Sequence, residues 1–294
     1  MSWFTFSWPS FLFSFLGLAF EGLPFVLFGS LISGFIAAFV PSPVITRLLP
    51  KNPFLATLAS GLLGIVFPVC ECGIVPIIRR LINKGLPASC GITFMLASPI
   101  VNPIVAFSTF AAFRGQDPWM VMGTRLILGY FVAVVVGLVL QRTRPEAILR
   151  EGAVSIPGRK RLAFSVSPLP DAANGASVLQ KIVAATFNTA VNQAIIQPLA
   201  ANTTLSTFSM MAISVILTLC STSDAFIAAT FVTFSMVARI AFMVFGPMFD
   251  LKLFFLYSVL FKKRFVLSLG IGLFVFVGLI CSRILPFFYA NQGF

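Results

Sequence analysis

The chain has 294 residues, 59% of them hydrophobic and 10% charged, with a mean hydropathy of +1.02 and a net charge of +12. A soluble domain carries about 25% charged residues, so this surface cannot face water, and long apolar runs without alternation exclude a closed β-barrel. The basic residues fall between apolar runs with no interleaved aromatic pattern, which argues for a positive-inside membrane protein and against a nucleic-acid partner.

Eight apolar segments follow one another at roughly 11–40, 54–83, 88–113, 119–140, 179–201, 205–238, 240–261 and 265–286. They predict an all-α polytopic fold in contact with the lipid bilayer. Met1 to Pro9 lack the basic start of a cleaved signal peptide. The first segment carries Glu21, with Gly22 and Pro24 loosening the helix around it. A carboxylate at that depth is costly and by default lines a path or cavity; the bland alternative is a pair with an arginine such as Arg125.

The second segment holds Cys70-Glu71-Cys72-Gly73, followed by Pro76. Glu71 is a candidate path-lining group, and Gly73 and Pro76 are candidate helix breaks. A helix starting near Gly73 would turn free N–H groups inward. Cys70 and Cys72 could act as soft ligands for copper(I) or a trivalent metalloid; a structural zinc site or a simple helix break are the alternatives. With no histidine in the chain, zinc has no imidazole to complete it, and Ser-His-Asp or Cys-His chemistry is excluded. The identity of any metal stays open, and no cofactor is expected. Cys90, Cys220 and Cys281 lie in apolar runs and read as buried small hydrophobes.

Pro99, Asn102 and Pro103 break the third segment. Residues 141–178 form the long polar stretch, with six basic residues, and divide the chain into a first membrane repeat (1–140), a basic linker and a second repeat (179–294). In the second half Ser221, Thr222, Ser223 and Asp224 form a polar cluster, with Ser223 and Asp224 assigned to an ion or substrate path. Asp224 as a helix N-cap is the structural alternative. Pro247 and Asp250 break the seventh segment, and Lys252 stands close enough to neutralise Asp250.

The halves resemble each other. "ITFMLASPIVN" at 92–102 matches "IAFMVFGPMFD" at 240–250 at an offset of 148, which places Cys72 on Cys220 and Asn102 on Asp250. If 54–83 and 205–238 are re-entrant hairpins rather than kinked spanning helices, fourteen of the twenty basic residues share one side with the linker. Each half then has an odd number of spans, so the repeats are inverted, with the two polar clusters at the hairpin tips.

The motif "VCECGIVPIIRRLINKGLPASCGITFMLASPIVNP", with "STSDAFIA" and "GPMFDLK" later, resembles the bacterial predicted-permease family of YraQ and ArsP type, which also has algal-plastid members. The resemblance extends from about Glu21 through Lys252. It implies a multi-pass permease with a hydrophilic central loop, in a bacterial inner membrane or a plastid membrane. One branch of the family exports organoarsenicals. Its motif positions fall on Cys70, Glu71, Cys72, Gly73, Pro76, Gly85, Pro87, Pro99, Asn102, Pro103, Ser223, Asp224, Pro247 and Asp250. The segment around Asn188 aligns with that around Glu21, so the second half lacks the matching acid.

The leading expectation is a secondary permease, not an enzyme, moving a small solute (a metal, a metalloid or an organoarsenical among the candidates), with the linker on the cytosolic or stromal side. Glu71 and Asp224 would bind substrate or a coupling proton, and Asn102 and Asp250 would line the path. No nucleotide-binding loop is present. A non-transporting scaffold or assembly factor is the alternative, and an intramembrane enzyme pairing Asp224 with Glu71 is a third reading. Assembly as a homo-oligomer stays open.

Overall fold

A computed structural model describes residues 50, 52–66, 69, 71–143, 148–149 and 202–290. Among these the chain is helical. Residues Pro53–Val66 (α1), Glu71–Asn83 (α2), Ala88–Ala97 (α3), Pro103–Ala112 (α4) and Pro118–Leu140 (α5) precede the linker. Thr203–Leu217 (α6), Ser223–Thr230 (α7), Met236–Met248 (α8), Leu251–Leu260 (α9) and Lys263–Leu279 (α10) follow it. A π-helical turn, Ile280–Ile284, joins α10 to a last helix, Leu285–Ala290 (α11). The segments predicted at 11–40 and 179–201 lie outside the described residues, as does most of the linker.

Three stretches among the described residues are long and apolar enough to cross a membrane: Pro118–Leu140, Met236–Leu260 and Lys263–Tyr289. The outward surface is apolar, with Phe107, Trp119, Ile127 and Phe287 all exposed, as expected of a lipid-facing exterior. The chain is an integral membrane protein with transmembrane helices.

Side-chain contacts fix the direction of each helix. Thr57 lies against Cys90, Gly61 against Thr93 and Gly64 against Ser98, so α1 and α3 run parallel. Gly91 lies against Ile78 and Ile82, while Ser98 donates to the Val69 carbonyl at 3.4 Å, so α2 runs antiparallel to α3. Chain 53–83 is therefore a helical hairpin whose two arms both pack on α3. Each arm, at 14 and 13 residues, is about 20 Å long, short of a hydrocarbon core of about 30 Å.

Helices α3 and α4 form one broken rod antiparallel to α5: Thr93 meets Gly137, Ile100 meets Gly129, and Thr109 meets Arg125. The second half follows the same scheme. Ser214 of α6 lies against Gly246 of α8, Phe245 stacks edge-on to Phe274 of α10, and Phe249 lies against Gly270. The rods run in opposite directions. Arg239, at the start of α8, donates to Gln116 beyond the end of α4 at 2.7 Å. Phe261, after α9, bridges to Leu149 beyond the end of α5. Phe208, near the start of α6, packs on Gly278 near the far end of α10, so the second hairpin opens on the face opposite the first.

Helices α3 and α8 touch each other at the centre and are buried on nearly all sides, as all-round apolar helices must be. Each hairpin's return arm also reaches the other half: α7 packs on α4, and α2 packs on α9.

One register differs from the sequence reading. Asn202 occupies the N-cap position of α6, and Asn52 sits in the same place before α1, its side chain accepting from Phe54 N–H. Those two asparagines are 150 apart, whereas Pro103 and Leu251 open α4 and α9 at an offset of 148. The first hairpin arms are therefore offset by two residues from the rods. A slip of two residues is absorbed in the short second arm.

Candidate functional site

The hairpin tips meet between the halves, and charged side chains join them. Glu71 is the first residue of α2 and is 1% exposed. Its Oε2 accepts from Ser221 Oγ at 3.2 Å, and its Oε1 accepts from Lys252 Nζ at 3.2 Å. Asp224, in the first turn of α7, receives Arg125 Nη2 on both oxygens at 2.8 Å. The same guanidinium donates from Nη1 to Thr109 Oγ1 at 2.8 Å and from Nη2 to the Ser221 carbonyl at 3.0 Å. Every acidic tip residue is thus held by a base from the opposite half: Arg125 of α5 grips the second tip, and Lys252 of α9 grips the first.

The local backbone explains why charge can be here. Each broken rod exposes the first N–H groups of its second half, and a side chain caps them. Asn102 Oδ1 accepts from Ile104 N–H at 2.9 Å, and Asp250 Oδ1 accepts from Leu253 N–H at 2.6 Å. Glu71 and Asp224 sit in the first turns of α2 and α7, where the helix dipole favours a carboxylate. Asp250 lies 3.9 Å from Lys252 Nζ, so Lys252 stands between two carboxylates and is nearer to Glu71.

The expected residues fall out as follows. Glu71, Asp224 and Asp250 converge with one another. Asn102 is buried at the break beside the first tip, and Ser223 opens α7. Glu21 and Cys70 lie outside the described residues, as does the Cys72 side chain, so soft-ligand contact is not part of the described site. Among the described residues, no group of three or more potential metal-ligating side chains is present.

Several expectations change. Asp224 lies inside the first turn of α7, gripped by Arg125, and Thr222 occupies the cap position. Lys252 does pair with Asp250, at 3.9 Å, and it also reaches Glu71 at 3.2 Å. Arg125 is committed to Asp224 and Thr109. Of the expected helix breaks, Pro99 lies in the turn after α3, and Pro103 is the first residue of α4, where a proline is well tolerated. Gly73 and Pro76 lie inside α2, and Pro247 lies inside α8. Buried Ile74, Ile77 and Ile78 hold α2 through the hydrogen bond that Pro76 omits.

Arg125 and Lys252 were weighed only as partners of other acids, Ser221 only as part of the polar cluster, and Thr109 was not singled out. Arg125 had a signal, as an ionisable group deep in the apolar run 119–140.

Comparisons with known proteins point to a family. A family model described as "Predicted permease" (ArsP_1) matches residues 7–170 and 175–287. The UPF0718 protein YcgR of Bacillus subtilis is 38% identical over 273 residues, covering 87% of this chain and 90% of the relative. A protein of Streptococcus mutans serotype c named "Putative two-component membrane permease complex subunit" is 34% identical over 267 residues, covering 86% and 88%. No solved structure matches the chain.

Proposed function

The chain belongs to the predicted-permease family, and from that premise we propose a secondary transporter whose small solute crosses where the two hairpin tips meet. The observation that carries this reading is the cross-bracing of the tips, Arg125 to Asp224 and Lys252 to Glu71, by bases from opposite halves. Ion pairs at such depth are expensive, and their bases and acids come from elements that must part for a path to open. The two halves are read as inverted repeats. Oppositely directed rods, hairpins opening on opposite faces and reciprocal packing of α7 on α4 and α2 on α9 support it.

Arg79, Arg80, Lys84, Arg142 and the run Lys262, Lys263 and Arg264 lie at the end of the molecule where α1 and α3 begin and α9 ends. By the positive-inside rule that end, with the linker, is cytoplasmic. Both relatives are bacterial, which supports a bacterial plasma membrane. The buried centre, closed around Glu71 and Asp224, is read as an occluded state. Cys70 and Cys72, beside Glu71 in sequence, keep a metalloid or organoarsenical among the candidate solutes.

The test is flux in proteoliposomes. Glu71→Gln and Asp224→Asn should abolish solute movement while the protein still inserts and purifies as a single species. Unchanged flux in both variants would remove the tips from the path. A second reading takes the chain as one subunit of a membrane complex, which the name of the Streptococcus relative favours. Co-purification of a second membrane protein required for flux would support it.

A further inference from the structure

The three carboxylates at the centre are supplied with donors. Asp224 holds Arg125, Glu71 holds Lys252 and Ser221, and Asp250 holds the Leu253 N–H. Among the described residues one donor is left over. Arg125 is 1% exposed, and its Nε–H is buried without a hydrogen-bond partner. An unmet buried donor is costly. Three helices, α2, α7 and α9, also begin here, each contributing partial positive charge of about +0.5. Counting side chains alone, three acids against two bases among the described residues would suggest a cation as cargo. The filled carboxylate oxygens, the three helix N-termini and the open Arg125 donor reverse that preference.

We propose that the centre is an anion site, in which Arg125 and Lys252 are the binding bases, and Asp224 and Glu71 are tethered carboxylates that occupy those bases when no cargo is bound. The proposal rests on the permease reading and names its substrate class: a small carboxylate or oxoanion. The guanidinium fork that now takes both Asp224 oxygens would take two oxygens of such an anion, and the α7 N-terminus would add backbone donors. Lys252, 17% exposed against 1% for Glu71, is the member the anion reaches first.

The experiment uses the full chain purified in detergent, with thermal unfolding and calorimetric titration in sodium formate or sodium phosphate, against sodium chloride at equal ionic strength. Asp224→Asn removes the tethered charge and keeps its shape. Its unfolding midpoint should rise with formate, and its formate affinity should exceed that of the parent by at least about tenfold, or about 1.4 kcal/mol. Adding Arg125→Gln should erase that gain. Should Asp224→Asn not fold, Glu71→Gln, which removes the nearer of the two carboxylates beside Lys252, should show the same gain.

The proposal is overturned if formate and phosphate act no better than chloride on these variants, or if the gain survives loss of Arg125. Stabilisation of the parent by sodium or zinc ions that disappears in Asp224→Asn would also overturn it. Flux of a cation in proteoliposomes without anion binding would leave the permease reading standing and sink the anion site. Anion binding without flux of any solute would do the reverse.

Discussion

Arg125 interrupts an otherwise apolar helix, and it is tolerated because Asp224, Thr109 and the Ser221 carbonyl meet it in place of water. Breaking such a pair costs more than the pair contributes, because the survivor is left buried and unpaired. Arg125→Met should therefore destabilise the protein by about 3–5 kcal/mol. Arg125→Met with Asp224→Leu should recover most of that loss, as read by thermal unfolding in detergent. Equal loss in the single and double variants would mean that the charge pair is not what matters. At this scale the acids were legible: Glu71, Asp224 and Asp250 stand out as carboxylates in apolar runs. Their partners were not. Arg125 is 99 positions from Asp224 and Lys252 is 181 from Glu71, and no local pattern encodes such a pairing. Sequence proximity favoured Asp250 for Lys252, although the structure puts Glu71 closer.

The hairpin and broken-rod elements depend on close backbone approach. A Cβ on Gly64 would sit 2.7 Å from the Val101 carbonyl and 2.8 Å from Ser98 Cα. Neither is a flexible side-chain end that could swing aside. Gly64→Ala should cost about 1–3 kcal/mol, as overpacking does, and loosen α1 from the break after α3. Gly272 has nothing within 4 Å of such a Cβ, so Gly272→Ala should be neutral or stabilising by up to about 1 kcal/mol. Melting both variants side by side checks this, and equal effects would contradict it. The breaks were legible from Pro99, Asn102, Pro103 and Asp250, because prolines and capping side chains mark helix starts directly. Pro76 and Pro247 misled, since tertiary packing carries a helix past a single missing hydrogen bond. The two-residue slip between hairpin arms was hidden because the longest match, around Met95 and Met243, lies on the rods, where the offset is 148.

At the scale of the molecule, charge in the loops favours the hairpin reading, and the helix directions support it. The basic ends of α2 and the residues after α9 share one face; Gly115 and Thr233, in the turns after α4 and α7, lie on the other. Loop charge is legible because bilayer insertion responds to it residue by residue. Which helices touch across the halves is not, because all their faces are similarly apolar. The measurement that goes most directly to two hairpins entering from opposite faces is labelling of single cysteines with a membrane-impermeant maleimide, on intact and on opened cells. Asn83→Cys and Thr233→Cys, both at exposed positions, mark the open ends of the two hairpins, read against the unsubstituted chain. Thr233→Cys should label on intact cells and Asn83→Cys only after opening; labelling of both from the same face would contradict the architecture and the meeting of the tips that follows from it.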